Sequence, residues 1–257
     1  MAENQYGFPT EVLSLPSQGL LYPEDSPLRS GTIDVKYMTA KEEDILTSTN
    51  LIQQGVVIDK LLESVIANPE VKLDEMLVGD KNALLVGTRV LGYGKEYKIN
   101  FKDPDTGAKV EHSVDLTTLK NKEVDLKSIE GKSILEFELP NSKRVIEFKL
   151  LTHSDEIKIA EDIKGYEKIQ KITGISTALT TRLKYQIVSV DGKKDRKIID
   201  NFVDNEFLAL DHREFRQYTE KVTPDIELKF DYTSQTGNLH TLDIPLGIGF
   251  FWPAAGK

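Results

Sequence analysis

Two alternating segments around a Thr-Gly turn occur twice in this chain. Residues 97–116 read YKINFKDPDTGAKVEHSVDL, and 228–243 read LKFDYTSQTGNLHTLD. Period-two alternation marks half-buried strands, and a Gly-bearing turn between two such runs marks a hairpin. The echo extends further. Ile99 and Phe101 answer Leu228 and Phe230, and His112 with Asp115 answers His240 with Asp243. Upstream, 39–45 (TAKEEDI) answers 152–157 (THSDEI). Asp74-Glu75-Met76-Leu77 with Asp80 answers Asn205-Glu206-Phe207-Leu208 with Asp211. Agreement in order over so many positions points to an ancient duplication and to a pair of similar α+β units.

The elements between follow from local signals. Pro9, Pro16, Pro23 and Pro27 exclude a continuous helix or a central strand from the first thirty residues. That stretch reads as an extended arm with turns, carrying Leu20, Leu21 and Tyr22 as an apolar knot. It either packs on its own domain or reaches a neighbouring subunit. Residues 32–37 (TIDVKY) alternate as a strand, with Ile33, Val35 and Tyr37 on one face. Thr39 with Glu42 has capping-box spacing. Ile58, Leu61, Leu62, Val65 and Ile66 form one stripe of a helix that Pro69 ends. Asp80 is the expected N-cap of a helix through Leu91, closed by Gly92.

In the second half, 134–139 and 145–150 form the expected hairpin. Ser154 caps a helix whose apolar positions include Ile157, Ala160, Ile163 and Tyr166. A further helix from Ser176 carries Leu179, Leu183 and Ile187 and stops at Asp191-Gly192. Asp211 with Glu214 caps the last one, which bears Phe215, Tyr218 and Val222. The expected fold is therefore α+β and internally duplicated, each half a small helical cluster with β-hairpins. The divisions are an arm (1–30), a first repeat (31–125) and a second repeat (126–257) with an aromatic tail.

Composition bears on function mainly by exclusion. Lys and Arg total 33 against 42 Asp and Glu, a net charge of −9, which argues against broad nucleic-acid binding. No apolar run approaches the ~20 residues of a membrane span, and the polar N-terminus has no signal-peptide core. The reading is a soluble protein made in the cytoplasm. The absence of cysteine removes disulfides, thiol nucleophiles and thiolate metal sites.

No catalytic constellation emerges. The four histidines are scattered, and no HExxH, GxSxG, P-loop or GxGxxG pattern occurs. Gly92-Tyr93-Gly94 reads as a helix stop and Gly247-Ile248-Gly249 as an irregular loop. His112 and His240 each precede an Asp by three residues, which puts the pair on opposite strand faces. They read as surface or turn histidines. Asp103, Asp105 and Gly107 begin like a calcium loop, but Ala108 and Val114 stand where Gly and Glu are needed. The turns DPDTG and TSQTG have the outline of zinc-ribbon knuckles, with Asp103, Thr106, Thr233 and Thr236 at the cysteine positions. Both hairpins read as metal-free ribbons. No catalytic, cofactor or metal residue is assigned.

The aromatic ending, Phe250-Phe251-Trp252-Pro253, has two readings. It is a plug for its own domain, or an anchor for a partner, since aromatic residues dominate hot spots. The candidate partner-binding residues are Leu20, Leu21, Tyr22, Phe250, Phe251, Trp252 and Pro253. The arm LPSQGLLYPEDSPL, the blocks YMTAKEEDIL and DEMLVGDKNALL, and the ending DIPLGIGFFWP together resemble the baseplate hub protein family of T-even-like contractile-tailed phages. The resemblance covers most of the chain. It implies a non-enzymatic structural or assembly component of the hub that contacts other hub or tail proteins. Such a component is virion-bound, assembled in the host cytoplasm and present in multiple copies in a symmetric assembly. An assembly chaperone that leaves before the virion matures is the alternative. The resemblance also implies cysteine pairs at the two turns, and this sequence departs from it there.

Overall fold

The structure, a computed structural model, describes residues 7–166, 172, 174 and 176–251. Strand β1 (Thr10–Ser14) pairs antiparallel with β2 (Thr32–Lys36), with Thr10 opposite Lys36. The arm is thus not simply extended. Pro9 and Pro16 flank β1 and leave it uninterrupted, and an edge strand tolerates that. Helix α1 (Ala40–Thr47) starts with the expected capping box between Thr39 and Glu42. Helices α2 (Thr49–Gln54) and α3 (Val57–Val65) follow, and α3 buries Val57, Leu61, Leu62 and Val65. Helix α4 (Val78–Tyr93) begins two residues before Asp80, so Leu77 and not Asp80 is its N-cap. The hairpin of β3 (Glu96–Lys102) and β4 (Lys109–Asp115) completes this half.

The second half holds a three-stranded sheet of β5 (Leu135–Glu138), β6 (Val145–Phe148) and β7 (Ile187–Val190). Helix α5 (His153–Gly165) is capped by Thr152 through a box with Asp155, not by Ser154. Its buried positions are His153, Asp155 and Ile159, while Ile157 and Tyr166 of the expected apolar face are exposed. Helix α6 (Ala178–Gln186) ends where the run Ile187-Val188-Ser189-Val190 begins. That run is a strand on β6, not a continuation of the helix. Its β-branched residues favour the pleated surface once β6 offers an edge. Helices α7 (Arg196–Asn201) and α8 (Ala209–Val222) follow. Asp211 is again inside its helix, and Leu208 is the N-cap.

The closing hairpin, β8 (Lys229–Thr233) and β9 (Leu239–Asp243), leaves the half from which it emerges. One apolar core runs from Leu15 to Leu116 and resumes at Ile226, ending on Phe250 and Phe251. The other contains Leu126, Leu139, Phe148, Phe202 and Phe215. The chain leaves the first core and returns to it side by side. Asn121 bridges Ile226, Lys122 N–H donates to Asp225 O (2.8 Å), and Glu227 N–H donates to Lys120 O (2.7 Å). The second core is thus inserted into the first by a paired stalk. The last helix, α9 (Ile248–Phe251), replaces the irregular loop expected there.

Candidate functional site

The two hairpins that echo each other in sequence pack against each other. Phe101 meets Phe230 and Tyr232 edge-on at centroid distances of 5.7 and 4.9 Å, and His112 stacks on Phe230 at 5.3 Å. The turns carry the polar part of the contact. Asp103 Oδ1 accepts the N–H groups of Asp105 and Thr106, both at 2.9 Å, which shapes its own turn. Its Oδ2 accepts from Tyr232 Oη (2.8 Å) and from Gln235 N–H (3.3 Å) across the interface. Asp105 Oδ2 accepts from Ser234 Oγ, Thr236 Oγ1 and Asn238 Nδ2, and its Oδ1 lies 3.1 Å from His240 Nε2.

These donors favour the charged carboxylates. The Thr106 N–H leads in holding Asp103 down at about 2. The Ser234 and Thr236 hydroxyls hold Asp105 well below the usual carboxylate range. Tyr232 is correspondingly raised by its bond to Asp103. His112 and His240 are therefore interface residues, not surface or turn histidines. Of the four positions with zinc-knuckle spacing, Asp103 and Thr236 reach across. Thr106 Oγ1 accepts locally from Ala108 N–H, and Thr233 is exposed. Among the described residues no group of three or more His, Cys, Asp or Glu is arranged to hold a metal ion.

Two buried carboxylates hold the other turns. Asp80, fully buried, accepts from Ser17 N–H (2.9 Å), Ser17 Oγ (2.6 Å) and Tyr22 Oη (2.7 Å). Tyr22 Oη in turn accepts Leu77 N–H at 2.9 Å. Burial dominates here and pushes the Asp80 carboxyl up. Asp211, also fully buried, accepts from Asn141 N–H (2.7 Å), Asn141 Nδ2 (2.9 Å) and Ser142 N–H (3.0 Å). Burial opposes ionisation there, but the bonds from Ser142 and Asn141 outweigh it and the carboxyl is lowered. Both aspartates sit in the first turn of a long helix, and each clasps a turn that begins Leu-Pro, at Leu15-Pro16 and Leu139-Pro140. The repeated Leu-Pro after a strand was the available signal for this.

The expected partner-binding residues are placed as follows. Tyr22 is buried, and Phe250 and Phe251 are each 1% exposed. Phe250 lies 4.9 Å from Tyr97 and Phe251 lies 6.4 Å from Tyr93, centroid to centroid. The buried Arg89 guanidinium donates to the carbonyls of Phe250 (3.0 Å), Gly94 (3.0 Å) and Glu96 (3.2 Å) and lies over the Tyr93 ring. These aromatic side chains fill their own core, with about 2–3 kcal/mol of transfer free energy for each phenylalanine. Leu20 and Leu21 are partly buried and pack on the second core, with Leu21 touching both. Trp252 and Pro253 lie outside the described residues.

One contact joins the helical parts of the two halves. Leu77 bridges Thr152, Val78 N–H donates to Leu151 O (3.2 Å), and His153 N–H donates to Met76 O (2.8 Å). Lys81 Nζ seals it, 2.6 Å from Asp59 Oδ1 and 2.9 Å from His153 Nδ1. An open groove of about 790 Å³ beside it is lined in part by Ile58, Leu85, Ile157 and Ala160. No helix among the described residues is long and apolar enough to cross a membrane.

These features define a mixed α+β protein whose buried polar groups tie distant segments of one chain together. A family profile described as T4 bacteriophage base plate protein matches residues 22–251, and the chain belongs to that family. No curated protein and no solved structure matches it. Membership supports a structural role in the phage baseplate, with other baseplate or tail proteins as partners.

Proposed function

We propose that the protein is a non-enzymatic component of the baseplate hub of a contractile tail, made in the host cytoplasm and retained in the virion. The observation that carries this reading is the family match over residues 22–251. Its best-placed carboxylates support it, because Asp80, Asp103, Asp105 and Asp211 all hold turns of the chain itself. In the same reading the two halves descend from one duplicated unit, and the paired Leu-Pro turns and capping boxes favour that descent. Contact with neighbours falls to Leu20 and Leu21, which keep partial exposure, and to Trp252 and Pro253 beyond the buried phenylalanines. Mass spectrometry of purified virions tests the assignment. The protein is expected in mature particles at stoichiometric abundance. Its presence only in assembly intermediates would overturn retention and leave an assembly chaperone.

A further inference from the structure

The junction between the halves is one-sided. On one side stands the start of α4, with Leu77 as N-cap and the buried Asp80 three residues on. On the other stands the start of α5, with Thr152 as N-cap and a capping box. Each edge has a counterpart elsewhere in the chain. Leu208 is the N-cap of α8, with the buried Asp211 three residues on. Thr39 is the N-cap of α1, also with a capping box. The two counterparts do not meet, since among the described residues no bridge joins 208 to 39. A twofold relation between the halves would have produced that second contact. A head-to-tail relation leaves one edge open at each end.

Both open edges show what such a junction needs. Leu208 is 49% exposed, Leu210 54% and Tyr37 42%. Ala209 N–H and Phe207 O take the places of Val78 N–H and Met76 O. Ala40 N–H and Met38 O take the places of His153 N–H and Leu151 O. Among the described residues none of these four groups on the open edges has a hydrogen-bond partner. Each edge therefore offers one donor and one acceptor in the same order as the closed junction.

We infer that a second copy of this chain docks here, with residues 207–210 of one copy against residues 38–40 of the next. The contact repeats the Leu77–Thr152 bridge between molecules. Because the two edges differ, such contacts propagate, and they close into a ring if the rotation permits. The inference rests on the likeness of the edges and not on the hub assignment.

Proline substitution tests it with little cost to the fold. Ala40 and Ala209 are each the first residue of a helix, where proline is favoured. Thr39 (ψ −179°) and Leu208 (ψ 140°) are already extended, as a residue before proline requires. Ala209→Pro removes one docking donor and Ala40→Pro the other. Sedimentation equilibrium over a concentration series is the measurement. The wild type is expected to rise in mass with concentration, and each variant to stay at 29.0 kDa. The strongest form of the test uses A209P,L208E and A40P,Y37E in equimolar mixture. Each keeps one intact edge, so the mixture is expected to stop at twice that mass. A wild type that stays monomeric, variants that associate as the wild type does, or a mixture that does not pair would each overturn the proposal. Leu208→Glu alone, which leaves the backbone unchanged, is expected to weaken association and serves if a proline variant fails to fold.

Discussion

Tyr232 and Asp103 stand 129 residues apart in the chain, and the Tyr232 hydroxyl donates to the Asp103 carboxylate at 2.8 Å. With Asp105 beside it, this pair fastens the closing hairpin to the first one. The fastening depends on charge. Both carboxyls have lower pKa values in the folded protein than in the unfolded chain. They therefore contribute stability that is fully present above the unfolded value of about 4 and is lost as pH falls through the folded value. Thermal melts between about pH 5 and pH 2 should show a falling melting temperature across that window. The Asp105→Asn variant should start lower and fall less. Tyr232→Phe should lower the melting temperature at neutral pH, with hydrogen exchange speeding first in β8 and β9. An unchanged pH profile in the Asp105 variant would remove the carboxylate from this role.

The tail is the second place to press. Phe251 is fully buried against Tyr93. Truncating a buried phenylalanine to alanine costs roughly 3–5 kcal/mol. Urea denaturation of Phe251→Ala should show a loss of that order. A loss below about 1 kcal/mol, less than the smallest cost usual for such truncations, would mean that the phenylalanine is held loosely.

Gly79 marks where the inserted core rejoins the first. A Cβ built there would lie 2.0 Å from the Pro224 carbonyl oxygen. Backbone cannot yield as a side-chain tip can, so Gly79→Ala should destabilise by about 1–3 kcal/mol. Wild-type stability in this variant would show that the stalk has slack.

A truncation separates the structure from the sequence reading. With the first strand expected near Thr32, removal of residues 1–12 is harmless. The structure places Thr10, Glu11 and Val12 in β1, opposite Lys36, Val35 and Asp34. Deleting residues 1–12 should therefore lower the melting temperature and loosen β2 in hydrogen exchange.

What could be read from the sequence was local. Thr39 with Glu42 and the stripe of α3 reappear because capping spacing and helical periodicity act within a few residues. Both Thr-Gly hairpins reappear because alternation and turn chemistry are short-range signals. The misreadings share one cause. In sequence Asp80 and Asp211 read as caps, since aspartate suits both the cap and the first turn, and only tertiary structure shows the Leu-Pro turns they hold. Ile187 fits a helical stripe until β6 supplies a strand edge. The clasp at Asp105 was invisible for the same reason. Its partners Ser234, Thr236, Asn238 and His240 lie on the other hairpin, and no spacing rule brings them together.

The paired stalk at residues 120–122 and 225–227 also orders events in time. A nascent chain emerges from its N-terminus, so the core built on Leu126 to Phe215 is complete on the ribosome while the other still lacks Ile226 to Phe251. Until those residues emerge, Tyr97 and Phe101 wait with part of their surface uncovered. The half that comes second in sequence is the first that can finish folding, and residues 226–251, which leave the ribosome after it, complete the half that began.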